Sequence, residues 1–172
     1  MINMLIDTIT NSFMQSIEIP FLISLSKIIA FIFDPVVIAI ASLIIAIFIY
    51  LKKSKKQGIF FAVTILITGI IIKVSKEIFQ RARPLNAVIQ ESSFSLPSGH
   101  TMIAVVFFGL LVYLFVNKKY RICGMVVSGL LVIFIGLSRL YLRVHWLTDI
   151  LTGLIVGTII LIFSILVFKK IS

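Results

Sequence analysis

The chain has little of what holds a soluble domain together. Of 172 residues only 13% are charged, six of them acidic, and there are four prolines, one tryptophan and one cysteine. A single Cys123 cannot form an internal disulfide and says nothing about redox compartment. No Pro-, Gly- or Ser-rich stretch and no low-complexity segment interrupts the chain, so no linker divides it, and residues 1–172 read as a single domain. The first residues lack a basic start and carry Asp7, so they do not read as a cleaved signal peptide. What the chain does have is apolar residues, 60% of the total, with a mean hydropathy of +1.22. That is the composition of a membrane protein.

Five apolar runs, 36–51, 59–74, 102–116, 122–137 and 150–168, approach or reach the roughly 17–25 residues needed to cross hydrocarbon. A sixth, 17–33, contains Glu18, Pro20 and Lys27, and is counted because Asp34-Pro35 leaves little chain before the next run. The expected architecture is all-α and polytopic: six transmembrane helices over 17–172, preceded by an amphipathic segment over 1–16. In that segment Ile2, Leu5, Ile6, Ile9 and Phe13 recur at helical spacing opposite Asn3, Asp7, Thr8, Thr10 and Asn11. A helix lying on the membrane surface fits this pattern, and an extension of the first span is its rival. Gly153 and Gly157 make a G-x-x-x-G spacing in the last run, suited to close helix approach within the fold or to dimerisation.

A formal charge of +10 raises nucleic acid or anionic lipid as a partner, but its distribution points elsewhere. Lys52, Lys53, Lys55 and Lys56 follow the second run, Lys118, Lys119 and Arg121 follow the fourth, and Lys169 and Lys170 follow the last. Alternate connections enriched in Lys and Arg are cytoplasmic. The expectation is a multi-pass protein of the cell membrane with both termini in the cytoplasm, its partner the bilayer rather than nucleic acid, and no obligate protein partner. The remaining connections then face outward together, and they hold nearly all the polar residues of interest.

Those residues form three short strings: Lys76 with Arg83-Pro84; Pro97-Ser98-Gly99-His100; and Ser138-Arg139 followed by His145 and Asp149. They include both histidines of the protein. Ionisable groups beside membrane spans are costly and mark sites. At a spacing of four, His145 and Asp149 share one helix face if the helix has begun, and a carboxylate on one imidazole nitrogen frees the other for attack. A merely solvated pair at a helix start is the alternative. Ser98 is placed to cap the run after it, and a helix N-terminus with a serine and a glycine suits a phosphate or oxyanion. His100 on the same turn can give a proton to a leaving oxygen. Lys76, Arg83 and Arg139 have few acids near them in sequence, Glu77 and Glu91 being the closest, so an anion is expected between them. Arg81 and Arg143 are expected only to snorkel to the headgroups, beside the interfacial aromatics Tyr141 and Trp146. The ligand types for a metal are present in His100, His145 and Asp149. The cations would repel a divalent ion, and no further carboxylate cluster supports one, so no metal is expected.

In order and spacing, Lys76-x6-Arg83-Pro84, Pro97-Ser98-Gly99-His100 and Ser138-Arg139-x5-His145-x3-Asp149 resemble the three-part signature of the type 2 phosphatidic acid phosphatase superfamily. That group includes bacterial lipid phosphatases, glucose-6-phosphatase and vanadium haloperoxidases. The resemblance covers the chain from about Phe21 and is complete at every signature position; its departures are in size, the outer loops being short and no added domain being expected. It implies that His145 is a nucleophile forming a phosphohistidine and that Asp149 orients it. His100 would be the general acid and later base, and Lys76, Arg83, Ser98, Gly99 and Arg139 would bind the phosphoryl oxygens. It implies no cofactor and no metal. The implied substrate is a lipid phosphate or diphosphate: undecaprenyl diphosphate, phosphatidylglycerol phosphate, phosphatidic acid or lipid A 1-phosphate. A haloperoxidase would use the same cluster for vanadate, but those relatives are soluble. A non-enzymatic lipid or anion transporter or binding protein would need the cations but not His145, Asp149 and His100 together.

Overall fold

The computed structural model describes residues 2–171, and among them every regular element is helical. Seven α-helices follow one another: α1 (Ile2–Ser16), α2 (Pro20–Ile32), α3 (Pro35–Lys52), α4 (Lys55–Phe79), α5 (Gly99–Phe115), α6 (Arg121–Tyr141) and α7 (Leu147–Ile171), with a single 3-10 turn, Lys118–Tyr120, before α6. Local chemistry sets the boundaries. Pro20 and Pro35 open α2 and α3, where a missing N–H costs nothing, and the Asp34 carboxylate caps α3 by accepting from the Val36 amide at 2.8 Å. Gln80 ends α4 in the left-handed region (φ 43°), turning the chain into the long connection 81–98.

Helix α5 is the hub. Its buried residues Met102, Ile103, Val106, Phe107 and Leu110 join Ile49, Phe61 and Ile65 of α3 and α4 in the main core. It runs parallel to α7, and the two come close because Gly153 and Gly157 face it: a Cβ on Gly153 would lie 2.9 Å from the Ser98 carbonyl, and one on Gly157 2.9 Å from that of Met102. The G-x-x-x-G spacing therefore serves packing inside the fold.

Four helices, α3, α4, α7 and α6 with its preceding turn, are long and apolar enough to cross a membrane. Apolar side chains such as Ile44, Leu66, Phe134 and Phe163 stand exposed on their outer faces, as lipid contact requires. Helix α5, with 17 residues, is shorter and lies inside the bundle.

The N-terminal third departs from the expected plan. Helix α2 has only 13 residues, and both its ends meet the end of the bundle where α6 finishes. At its start the Ile19 amide donates to the Tyr141 hydroxyl at 2.8 Å, and Glu18 pairs with Arg143 at 2.8 Å; at its end Ala30 and Asp34 lie against His100. The expected crossing over 17–33 is thus not met, because Glu18 is paired at the same end that receives Asp34. Helix α1 sits there too, with Asp7 bound to Thr148 of α7, while the far end of α7 meets Lys56 of α4 through the Ile171 carbonyl. Helix α1 and the C-terminal end of α7 therefore lie at opposite ends, contrary to the expectation that both termini share a face.

Candidate active site

His145 lies in the connection between α6 and α7, and Asp149 in the first turn of α7. The two do not share a helix face, since the histidine precedes the helix; the carboxylate instead reaches back over the first turn. Its Oδ2 accepts from the Trp146 amide at 2.9 Å and lies 3.4 Å from His145 Nδ1, while Oδ1 accepts from Arg81 Nη1 at 2.6 Å. With its proton on Nδ1 toward the carboxylate, His145 keeps a lone pair on Nε2, 3.4 Å from Arg83 Nη1, a group that can only donate. The imidazole is 3% exposed. Burial lowers its pKa from 6.5 to about 4; the Asp149 hydrogen bond opposes that shift, and the positive Arg83 and Arg139 reinforce it.

The three expected cations converge on the connection 81–98. Lys76 Nζ donates to Ser93 Oγ at 2.9 Å and to the Phe94 carbonyl at 2.6 Å. Arg83 donates to the Ser93 carbonyl at 2.7 Å and the Val144 carbonyl at 2.6 Å. Arg139, 1% exposed, pairs with Glu91, whose other carboxylate oxygen is 3.8 Å from Arg83 Nη2. Burial alone would raise the pKa of Glu91, but Arg139 and Arg83 together hold it below the usual carboxylate range. An anion does lie between the cations, and the protein supplies it. The Nε of Arg139 is buried with no partner among the described residues.

Ser98 holds the N-cap position of α5, but its side chain makes no capping bond; its Oγ accepts instead from Thr101 Oγ1 at 3.1 Å. His100 Nε2 lies 3.1 Å from the Ala30 carbonyl, which places a proton on that nitrogen, and 3.9 Å from Asp34 Oδ2. A cleft of about 370 Å³ brings together Lys76, Arg83, Gly99, His100 and His145, with Glu91 and Ser93 on its wall. Ser98, Arg139 and Asp149 stand behind that surface rather than on it. The cleft also reaches Lys73 and Gly69, and both residues line an adjoining groove of about 490 Å³ between α3 and α4, walled by Ala39, Leu43, Ile65 and Leu66.

Two expectations are corrected here. Arg81 does not snorkel: it binds Asp7 at 2.5 Å, Asp149 at 2.6 Å and Thr148 at 2.6 Å. Arg143, held in the left-handed region (φ 53°) and buried, donates to the Asn86 carbonyl at 2.8 Å as well as to Glu18. Asp7 comes from α1 and Glu18 from the turn between α1 and α2, both far away in sequence. Sequence reasoning also missed Ser93 and Lys73. Lys73 lies three residues before Lys76, one helical turn away, a spacing that could have flagged it.

The sequence profile of the PAP2 superfamily matches residues 57–172, two thirds of the chain and all three polar strings. The chain belongs to the PAP2 superfamily. Phosphatidylglycerophosphatase B of Bacillus subtilis is 37% identical over 94 residues, 51% of this chain and 46% of that protein. Undecaprenyl-diphosphatase of Sulfolobus acidocaldarius is 28% identical over 127 residues, 70% of this chain and 59% of that protein. The matched stretch thus spans about half the length of these curated relatives. Among solved structures, a transmembrane PAP2-type phosphatidylglycerolphosphate phosphatase from Bacillus subtilis superposes with a TM-score of 0.87 at 27% identity, over 96% of this chain and 86% of that one. Aquifex aeolicus LpxE shares the fold, with a TM-score of 0.74 at 21% identity over 92% and 94%. With its long apolar helices and these neighbours, this PAP2 chain is a membrane protein.

Proposed function

We propose that this PAP2 protein is a metal-independent lipid phosphatase acting through a phosphohistidine. The observation that carries the reading is the adjoining of two unlike cavities: a polar cleft holding His145, His100, Lys76 and Arg83 opens at Lys73 and Gly69 into an apolar groove between α3 and α4. Phosphate fits the first and a lipid tail the second. The Nε2 lone pair of His145 attacks phosphorus in line with the ester oxygen; the P–O bond breaks as the P–N bond forms, and the leaving oxygen takes the Nδ1 proton of a doubly protonated His100, whose Nε2–H stays on the Ala30 carbonyl. His100 then accepts a proton from water, whose oxygen attacks phosphorus, and inorganic phosphate leaves with His145 restored. Lys76, Arg83 and the Gly99 amide stabilise the charge on the phosphoryl oxygens, and Arg139, buried behind them and paired with Glu91, adds positive charge from below the cleft surface. Ser98 supports this turn from behind.

The substrate class is a lipid phosphate or diphosphate whose tail stays in the bilayer, and the names of the relatives favour phosphatidylglycerol phosphate and undecaprenyl diphosphate. Helices α3–α7 are the spans of one membrane-embedded domain. Its basic end is cytoplasmic, and its site, with α1 and α2, faces outward. The test is phosphate release by purified protein from those two lipids, phosphatidic acid and lipid A 1-phosphate. Turnover of at least one, undiminished by chelator and blocked by vanadate, is expected; release from none would make the protein a lipid or anion binder. Orientation is read separately, in a Cys123→Ser background, by an impermeant thiol reagent on intact cells, which should label Ser92→Cys and spare Ser54→Cys.

A further inference from the structure

Helix α1 presents Leu5, Ile9 and Phe13 outward, yet it turns one carboxylate fully inward: Asp7 is 1% exposed. A buried carboxylate persists only when its acceptor sites are filled, and here they are. Oδ1 accepts from the Thr148 amide at 2.9 Å; Oδ2 accepts from Thr148 Oγ1 at 2.7 Å and from Arg81 Nη2 at 2.5 Å. The other terminal nitrogen of the same guanidinium donates to Asp149 Oδ1 at 2.6 Å. Asp149 has its second oxygen on the Trp146 amide and toward His145. One arginine therefore stands between two carboxylates, one from the N-terminal helix and one behind the nucleophile.

We propose that Asp7 is a positioning residue of the catalytic centre: it anchors Arg81 and Thr148, and through them holds Asp149 in the orientation that keeps His145 ready to attack. The inference rests on the phosphatase reading for its catalytic consequence, but not for its geometry. The guanidinium lies between two anions and 5.6 Å over the Trp146 ring, so its position is fixed from both sides. Without Asp7 the arginine has Asp149 as its sole anion, and the Thr148 amide and hydroxyl lose their acceptor. Asp149 is then drawn toward Arg81 and away from His145 Nδ1, where the contact is already 3.4 Å. Asp7 does not line the cleft, so it has no direct part in holding substrate. The N-terminal helix is on this view part of the active-site framework rather than a membrane anchor alone.

The test compares Asp7→Asn with Asn11→Ala. Asn11 is on the same helix and ties it to Asn86 at 3.0 Å without touching Arg81. Asp7→Asn should lower kcat by roughly tenfold to a hundredfold, by analogy with the loss of a group that orients a metal-ligating histidine from behind, with KM within about twofold. Asn11→Ala should leave kcat within about twofold, and Asp7→Glu should recover part of the loss. Placed in an Asp149→Asn background, Asp7→Asn should cost nothing further, because the residue it acts through is already disabled. Equal losses from Asp7→Asn and Asn11→Ala, a full further loss in the Asp149→Asn background, or wild-type kcat in Asp7→Asn would each overturn the proposal.

A second readout needs neither turnover nor a folded Asp7 variant. The chain holds only two histidines, so ring-nitrogen NMR of labelled protein gives two imidazoles, separable with His100→Gln. His145 should carry its proton on Nδ1 in the wild type and shift toward the Nε2 tautomer in Asp7→Asn or, should that variant not fold, in Thr148→Val. An unchanged His145 spectrum sinks the proposal even in an active enzyme. A changed one in a protein inert toward every lipid upholds the positioning and removes the phosphatase reading instead.

Discussion

At the end of the bundle where α3 joins α4 and α5 joins α6, Lys52, Lys55, Lys56, Lys118, Lys119, Lys169 and Lys170 stand exposed without one acidic residue among them. Lys55 and Lys119 lie over the rings of Tyr50 and Tyr120. At the other end Arg81, Arg83, Arg139 and Arg143 are wholly or partly buried, and each meets a carboxylate. All six acids of the chain, Asp7, Glu18, Asp34, Glu77, Glu91 and Asp149, belong to that second end. Positive charges thus do two jobs, carried by lysines at one end and by arginines at the other. Exposed and unpaired, they respond to the membrane potential, worth roughly 2 kcal/mol per charge per 100 mV, and so bear on orientation. Buried and paired, they hold fixed positions around a cleft that Arg83 and Lys76 line.

If that contrast is right, the largest effect comes from the one reactive group at the paired end. His145→Ala should lower kcat at least about a thousandfold in the phosphate-release assay, with the folded fraction unchanged in detergent, since the side chain belongs to a connection rather than a helix core. Residual activity above a few per cent would remove His145 from the nucleophile role. The acid limb sharpens the same point. Because burial holds His145 near 4 rather than 6.5, the neutral ring persists as pH falls, and the proposed nucleophile should be lost only through about pH 4. A kcat/KM profile that already collapses at pH 6 would show a solvated, ordinary histidine.

Next in size is Arg139→Ala. Removing Arg139 takes the main partner from Glu91, which is partly exposed and keeps Arg83 at 3.8 Å, so about 1–3 kcal/mol of stability should go. Chemical denaturation of the detergent-solubilised protein measures it. A loss below 1 kcal/mol would mean the pair is as solvated as the lysines at the far end.

How much of this was legible beforehand divides along the same line. The apolar runs behind α3–α7 are continuous in sequence, and the three polar strings have fixed internal spacing, so both could be read directly. What could not be read is pairing across distance. Arg81 and Asp7 are separated by 74 residues and Arg143 and Glu18 by 125, and nothing local distinguishes an arginine that meets a carboxylate from one that snorkels. Helix α2 was misjudged for a related reason: its composition permits a crossing, and the contacts that hold both its ends at one face belong to Tyr141, Arg143 and His100. Glu91 stood in plain view in the sequence, but that it closes on Arg139 and Arg83 depends on the path of the whole 81–98 connection.

Glu91→Gln tests whether that carboxylate competes with substrate. Its charge occupies Arg139 and lies near Arg83 where phosphate is proposed to bind, so neutralising it should tighten phosphate binding. KM and the inhibition constant for inorganic phosphate should both fall by roughly threefold to tenfold, the scale of a partly solvated charge interaction of about 1 kcal/mol. A rise in both would mean that Glu91 holds the arginines in a binding geometry rather than blocking it.

The smallest effect should come from the unpaired end, where the comparison is easiest to break. Lys55→Ala and Lys119→Ala each remove an exposed charge that lies over an aromatic ring, and surface changes of that kind usually stay within about 0.5 kcal/mol. Neither residue touches the cleft, so kcat and KM should remain within about twofold of wild type, and single changes should leave the labelling pattern of Ser92→Cys and Ser54→Cys intact because seven or more like charges still hold that end. Orientation should weaken only when several are removed together, since the positive-inside bias is counted over whole connections. A single lysine change that halved the impermeant labelling at Ser92→Cys, or cut kcat tenfold, would show that the two ends are coupled rather than separate, and that the basic end takes part in catalysis.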